Sequence, residues 1–212
     1  MMFPYVVRAG DHLQRLAFRF GFDAEEVWQD PKNEALRQVR GDGNILEPGD
    51  VIYVPRRPDA SRSLEAGQSN TYLVNVPTVK VTVVFLWKGR PLANASYSVR
   101  ELPELEGKTT DGSGTLTADV PVTYRSITVD FKEPLLTQIL RIGHLDPVSS
   151  RGGIWQRLAN LGHLRTIDTH AGKPNEAELR VALRRFQWAN GLPITGVADE
   201  ETCDKLESIH GS

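Results

Sequence analysis

The period of the apolar residues changes twice along this chain, and that change constrains the fold more than any other feature. Between Val79 and Phe131 apolar positions recur every second residue, whereas before and after they recur at helical spacing. "VKVTVVFLW" reads as one strand ending at the turn "KGRP". "NASYSVRE" sets Ala95, Tyr97 and Val99 against Ser96, Ser98 and Arg100. "TLTADV" repeats the alternation with Leu116, Ala118 and Val120, and "SITVDF" with Ile127, Val129 and Phe131. The glycines of "TTDGSG" supply a hairpin turn. Short strands at this spacing predict a small antiparallel β-sandwich.

On the N-terminal side, "YVVRAGDHLQRLAFRFGF" runs from a short β-rich stretch into an amphipathic helix. Asp11 is placed to cap that helix, Leu13, Leu16, Ala17 and Phe20 form its apolar stripe, and Gly21 closes it. Asp23 and Glu26 have capping-box spacing for a second helix carrying Val27 and Trp28. Pro31 interrupts or re-initiates it, and Ala35, Leu36 and Val39 add a further turn or two. Pro48–Gly49 then turns the chain into a strand over Val51 to Val54. The predicted order is β-α-α-β, followed by the polar, aperiodic linker "PRRPDASRSLEAGQS".

On the C-terminal side, "GIWQRLANLG" places Ile154, Leu158 and Leu161 on one face and stops at Gly162. "EAELRVALRRFQWANG" does the same with Leu179, Ala182, Leu183 and Phe186, stopping at Asn190–Gly191. "DEETCDKLESIHG" is capped by Asp199, with Thr202, Cys203, Leu206 and Ile209 on the apolar side and Gly211 after it. The expected architecture is multi-domain α+β. It comprises a βααβ unit over residues 1–58, a linker over 59–69, a β-sandwich spacer over 70–147 and a three-helix unit over 148–212.

Composition narrows the function classes. At 212 residues the chain suffices for two or three compact units. A formal net charge of −2 gives no basic field for nucleic acid or an anionic membrane. No apolar run approaches the roughly 20 residues of a membrane helix, so membrane insertion is not expected. "MMFPYVV" lacks the basic and long apolar regions of a secretory signal, and the single Cys203 cannot form an internal disulfide. Both point to synthesis in the cytoplasm.

No catalytic set emerges. Cys203 falls on an apolar helix face, where a free cysteine is packing material. His163 and His170 lack ligand partners at metal spacing and read as solvated loop residues. His210 reads as a cap or a solvated helix end. The carboxylates are scattered, with no pair in a glycosidase context. "DGSG" lacks both the lysine of a phosphate loop and the strand-to-helix setting of a nucleophile elbow. Trp28 and Trp155 lie beside apolar helical positions. Trp188 follows Gln187 off the main stripe, and partial core burial is expected for it, with sugar stacking as the alternative. No cofactor or metal site is expected.

Residues 5–55 resemble a LysM domain through "YVVRAGDHL", "LAFRFGF" and "ILEPGDVIYVP". The resemblance implies binding of N-acetylglucosamine-containing glycans in a shallow groove between two loops. By position these loops are Gly10, Asp11, His12 and Leu13, and Asn44, Ile45 and Leu46. Exposed backbone amides there would pair with an acetamido group. Where the family commonly has Thr this chain has His12, and two readings of that residue stand, a sugar contact or an exposed first-turn residue. Residues 152–209 resemble the helical peptidoglycan-binding domain appended to cell-wall hydrolases, through "GIWQRLANLG", "LRVALRRFQWANGLPITG" and "DEETCDKL". That resemblance implies non-catalytic wall binding, for which Gln187, Asn190 and Gly191 are the candidates. "GRPLANASYSV" and "GKTTDGSGTLTADVP" resemble bacterial Ig-like or carboxypeptidase-regulatory-like modules, which imply a spacer.

The expected function is therefore non-catalytic binding of peptidoglycan or a related N-acetylglucosamine glycan, with two weak sites on one chain raising effective affinity. The expected place of action is the cell wall or an injection apparatus. The alternative is an adaptor of a contractile injection system or phage-like particle, with the LysM-like unit contacting injection-apparatus proteins. A hydrolase subunit needing a catalytic partner is a third reading.

Overall fold

A computed structural model describes residues 1–56, 65–164 and 175–210. Part of the linker, His170 and Gly211 lie outside the described residues. The chain is α+β with antiparallel sheets, and it divides into two compact units. One comprises Met1–Val81, Ser96–Lys108 and Thr117–His144, and the other Thr82–Ala95, Thr109–Leu116 and Leu145–Ser212.

In the first unit, β1 (Met2–Val6) pairs with β2 (Val51–Pro55) in antiparallel register, Tyr5 opposite Ile52. Between them run α1 (Leu13–Phe20), α2 (Ala24–Gln29), a 3₁₀ turn at Pro31–Asn33 and α3 (Glu34–Arg40). Gly21 closes α1 in the left-handed region, as its position predicts. The cap of α1 differs from expectation. His12, not Asp11, is its N-cap, and its side chain accepts from the Arg15 amide. Asp11 instead accepts from the Tyr5 hydroxyl at 2.7 Å and the Arg8 amide at 3.0 Å. Proline re-initiates the helix, and α3, at seven residues, supplies the turn or two that the sequence suggested. Buried Asn33 ties this turn to β2, accepting from Tyr53 N and donating to Val27 O. Leu16, Trp28, Leu46, Ile52 and Val54 form the core of this segment.

The middle segment contains β3 (Thr78–Val84), β4 (Leu86–Trp87), β5 (Arg90–Pro91), β6 (Ser96–Val99), β7 (Lys108–Thr109), β8 (Thr115–Pro121), β9 (Ser126–Phe131) and β10 (Leu136–Arg141). Four of them make a sheet in the order β10-β9-β6-β7, while β3 pairs with β8 and β4 with β5. The alternating residues Tyr97, Val99, Ala118, Val120, Ile127, Val129 and Phe131 are buried. The single strand expected over "VKVTVVFLW" is broken at Phe85, which turns inward and bonds Gly114 O and Leu92 N. Strand β10 has no clear alternation, because Ile139 stays exposed while Leu136 and Leu140 are half-buried.

In the second unit, α4 (Arg151–Asn160), α5 (Glu176–Ala189) and α6 (Glu200–His210) enclose a core of Trp155, Leu158, Leu179, Ala182, Leu183, Phe186 and Leu206. Each helix start is capped. Ser150 accepts from Gly153 N, Asn175 and Glu178 form a capping box, and Asp199 accepts from Thr202 N. Ile209 is exposed, contrary to its place on the expected stripe. Arg157 is fully buried, its Nη1 donating to Asp146 O at 2.8 Å and Gly153 O at 3.1 Å.

Candidate functional site

The fold brings the two candidate loops of the first unit together. Leu13 N donates to Gly43 O at 2.9 Å, and Gln14 N reaches the Asn44 side chain at 3.4 Å. Their surface is largely closed. Gly10, Asp11, His12, Leu13 and Leu46 are buried, Ile45 is half-buried and Asn44 alone is exposed. Their backbone donors are also engaged within the chain: Asp11 N with Arg8 O, Leu13 N with Gly43 O, Asn44 N with Asp42 and Ile45 N with Asp42 O.

What covers Gly10–His12 is the strand-flanking chain of the same unit. The Arg15 guanidinium donates to Val122 O at 2.8 Å and also to Gly10 O and Tyr124 O. Gly143 sits so close that a Cβ on it would lie 2.8 Å from His12 Cδ2 and 2.9 Å from Gly10 O. Its backbone is left-handed at φ +75°, so a side chain is excluded twice over. His12 is therefore not an exposed first-turn residue. Burial, then the charge of Arg15, lowers its pKa to about 4, against the opposing Asn44 and Asp11.

The helical unit offers a more open surface. Gln187 is not part of it. Fully buried, it donates to Thr195 Oγ1, Val197 O and Thr202 Oγ1 and accepts from Gly196 N at 2.8 Å. It therefore holds the loop after α5 against that helix. Asn190 caps α5, donating to Phe186 O at 2.8 Å, and Gly191 is exposed with φ +70°. Trp188, for which partial burial was expected, is instead 75% exposed.

Beside the anchored loop lies a surface cleft of about 520 Å³ that includes Arg151, Glu176, Arg180, Arg184, Thr195 and Val197. Arg151 pairs with Glu176 at 3.2 Å. The sequence reading missed Arg180 and Arg184. The available signal was spacing: Arg180, Arg184 and Trp188 repeat every fourth residue along α5, with Arg180 and Arg184 flanking its apolar stripe.

Cys203, His163 and His210 are partly packed. Cys203 is half-buried with Sγ 3.9 Å from Ala198 O, and burial followed by Asp199 raises its pKa. His163 packs edge-on to Phe186 at 5.4 Å, and burial lowers its pKa. His210 meets Asn160 at 3.0 Å, and burial followed by Arg157 lowers its pKa to about 4. His163 is therefore not the solvated loop residue expected from sequence, while His210 sits half-buried at the end of α6, where a cap or a solvated end was expected. No helix among the described residues is long and apolar enough to cross a membrane.

No curated protein and no solved structure matches the chain significantly. Residues 150–206, which contain α4, α5, the cleft and the greater part of α6, match the family model described as "Putative peptidoglycan binding domain".

Proposed function

We propose that this chain is a non-catalytic peptidoglycan-binding protein that acts at the cell wall, with the helical unit as its wall contact. The observation that carries this reading is the family match over 150–206, on three helices whose exposed side presents Trp188. An indole exposed this far is suited to stacking on a sugar face or covering a peptide. The non-catalytic reading is supported by the raised pKa of Cys203, which keeps the thiol protonated and a poor nucleophile. In the test, the full chain is incubated with labelled insoluble peptidoglycan. The protein is retained on the polymer, and soluble fragments do not exceed those of a boiled control. Release that depends on one side chain overturns the non-catalytic reading.

Recognition of N-acetylglucosamine by the LysM-like residues 5–55 is the finer part of the proposal. It is supported by their element order and by the adjacency of the two loops. A second reading assigns this segment to protein contact, as in an adaptor of an injection apparatus. Its support is that Gly10, His12 and Arg15 already face backbone of residues 122–143. Amide signals separate the two: millimolar N-acetylglucosamine oligomers shift Asn44 and Ile45 if the loops read sugar, and leave them unmoved if they do not.

A further inference from the structure

Two arginines one turn apart on a helix repel each other, and nothing in the core of this unit requires them. Arg180 and Arg184 nevertheless lie side by side along the α5 cleft. The carboxylate that shares the cleft, Glu176, already pairs with Arg151 at 3.2 Å. Among the described residues neither Arg180 nor Arg184 has an ion-pair partner.

Their stems are held in place. Gly196 is buried in the left-handed region at φ +73°. A Cβ there would lie 2.8 Å from Arg180 Cγ and 2.9 Å from Arg184 Nε. Gln187 fixes Gly196 by accepting from its amide. Both side chains thus run across a glycine slot that a buried glutamine positions, which limits the entropy lost when they engage a ligand. Val197, 60% exposed at the cleft edge, adds a small apolar surface.

We infer that this cleft binds the carboxylates of the stem peptides of peptidoglycan, with Arg180 and Arg184 as the recognising groups. The inference rests on the peptidoglycan-binding reading and names the part of the polymer that is read. Guanidinium pairs match carboxylates in charge and fork geometry, whereas sugar hydroxyls carry no charge to answer them. The short apolar side chains of stem-peptide alanines suit Val197.

The test compares the full chain with its R180Q/R184Q variant on two insoluble polymers, intact peptidoglycan and peptidoglycan stripped of its free carboxylates by carbodiimide coupling to ammonia, which turns each into a neutral amide and leaves the cross-links in place. The wild type binds the stripped polymer about tenfold more weakly than the intact one, as expected from losing one strong charge-assisted contact. The variant binds intact polymer at that same reduced level and is indifferent to stripping. Its thermal unfolding matches the wild type, because both arginines are exposed. Equal wild-type binding to both polymers overturns the inference and leaves the peptidoglycan reading standing. So does a variant that loses affinity for the stripped polymer as well. A wild type that binds neither polymer overturns both.

Discussion

Arg15 Nε donates to Val122 O at 2.8 Å, joining residues 107 positions apart in the sequence. Arg15 is 7% exposed, and its guanidinium also reaches Gly10 O and Tyr124 O. One side chain therefore satisfies three backbone carbonyls at the junction of the N-terminal α/β segment and the β-strands of the same unit. Burial, and then the nearby Arg125, lowers its pKa.

Replacing Arg15 by Met keeps much of the volume and removes every donor. The carbonyls left behind lose charge-assisted hydrogen bonds, so the loss of stability is expected to be roughly 2–4 kcal/mol. Arg15→Lys rescues only part of this, since an ammonium cannot reproduce the planar fork. Urea unfolding measures both variants. A neutral Arg15→Met contradicts the junction described.

Acid weakens this protein through the buried His12 and the half-buried His210. His12 and His210 have folded pKa values of about 4, below the ordinary 6.5. The unfolded chain therefore binds protons that the folded chain refuses between those limits. The associated stability is complete above about pH 6.5 and is lost as the pH falls towards 4, with an upper bound of about 3 kcal/mol for His12. His12→Asn retains an N-cap acceptor and has no proton to take up. Its stability against pH is expected to be flatter over that window, measured by denaturant midpoints at several pH values. An unchanged slope contradicts burial of the neutral imidazole.

Gln187 was a candidate wall contact by sequence and is a structural hub in the fold. Gln187→Leu preserves shape but removes every bond to Thr195, Gly196, Val197 and Thr202. A cost of roughly 2–3 kcal/mol follows from losing several buried bonds and leaving their partners unsatisfied. Hydrogen exchange at the Gly196 amide accelerates in the variant. Retained protection at Gly196 together with weakened wall binding would return Gln187 to the role of ligand contact.

The contrast between Gln187 and Trp188 shows where sequence reading stops. The stripe Leu179, Ala182, Leu183 and Phe186 was legible because helical burial repeats with a fixed period. Gln187 continues that spacing, four residues after Leu183, but with a polar side chain. What periodicity does not see is the loop eight to ten residues downstream that satisfies its buried amide. Trp188 was assigned towards the core because it is apolar, yet α5 turns it outward. Arg15 and Arg157 were unreadable for a related reason: each is buried by backbone carbonyls that only the folded chain brings near. In residues 5–55 the strand–helix–helix–strand order was legible from period and caps, whereas the adjacency of the two loops was expected only from a family resemblance. The covering of Gly10–His12 by residues 122–143 was not, because it is a long-range contact between segments of different period.

Sedimentation of the full chain with insoluble peptidoglycan tests the central claim most directly, that the exposed face of α5 holds the wall. The wild type pellets with the polymer. Trp188→Ala is expected to reduce retention by about two- to tenfold, the scale of one aromatic contact. Its thermal unfolding is unchanged because Trp188 is 75% exposed. Trp87→Ala, which alters an exposed tryptophan on β4, pellets like the wild type. A wild-type chain that stays in the supernatant, or a Trp188→Ala chain that pellets as the wild type does, contradicts the account.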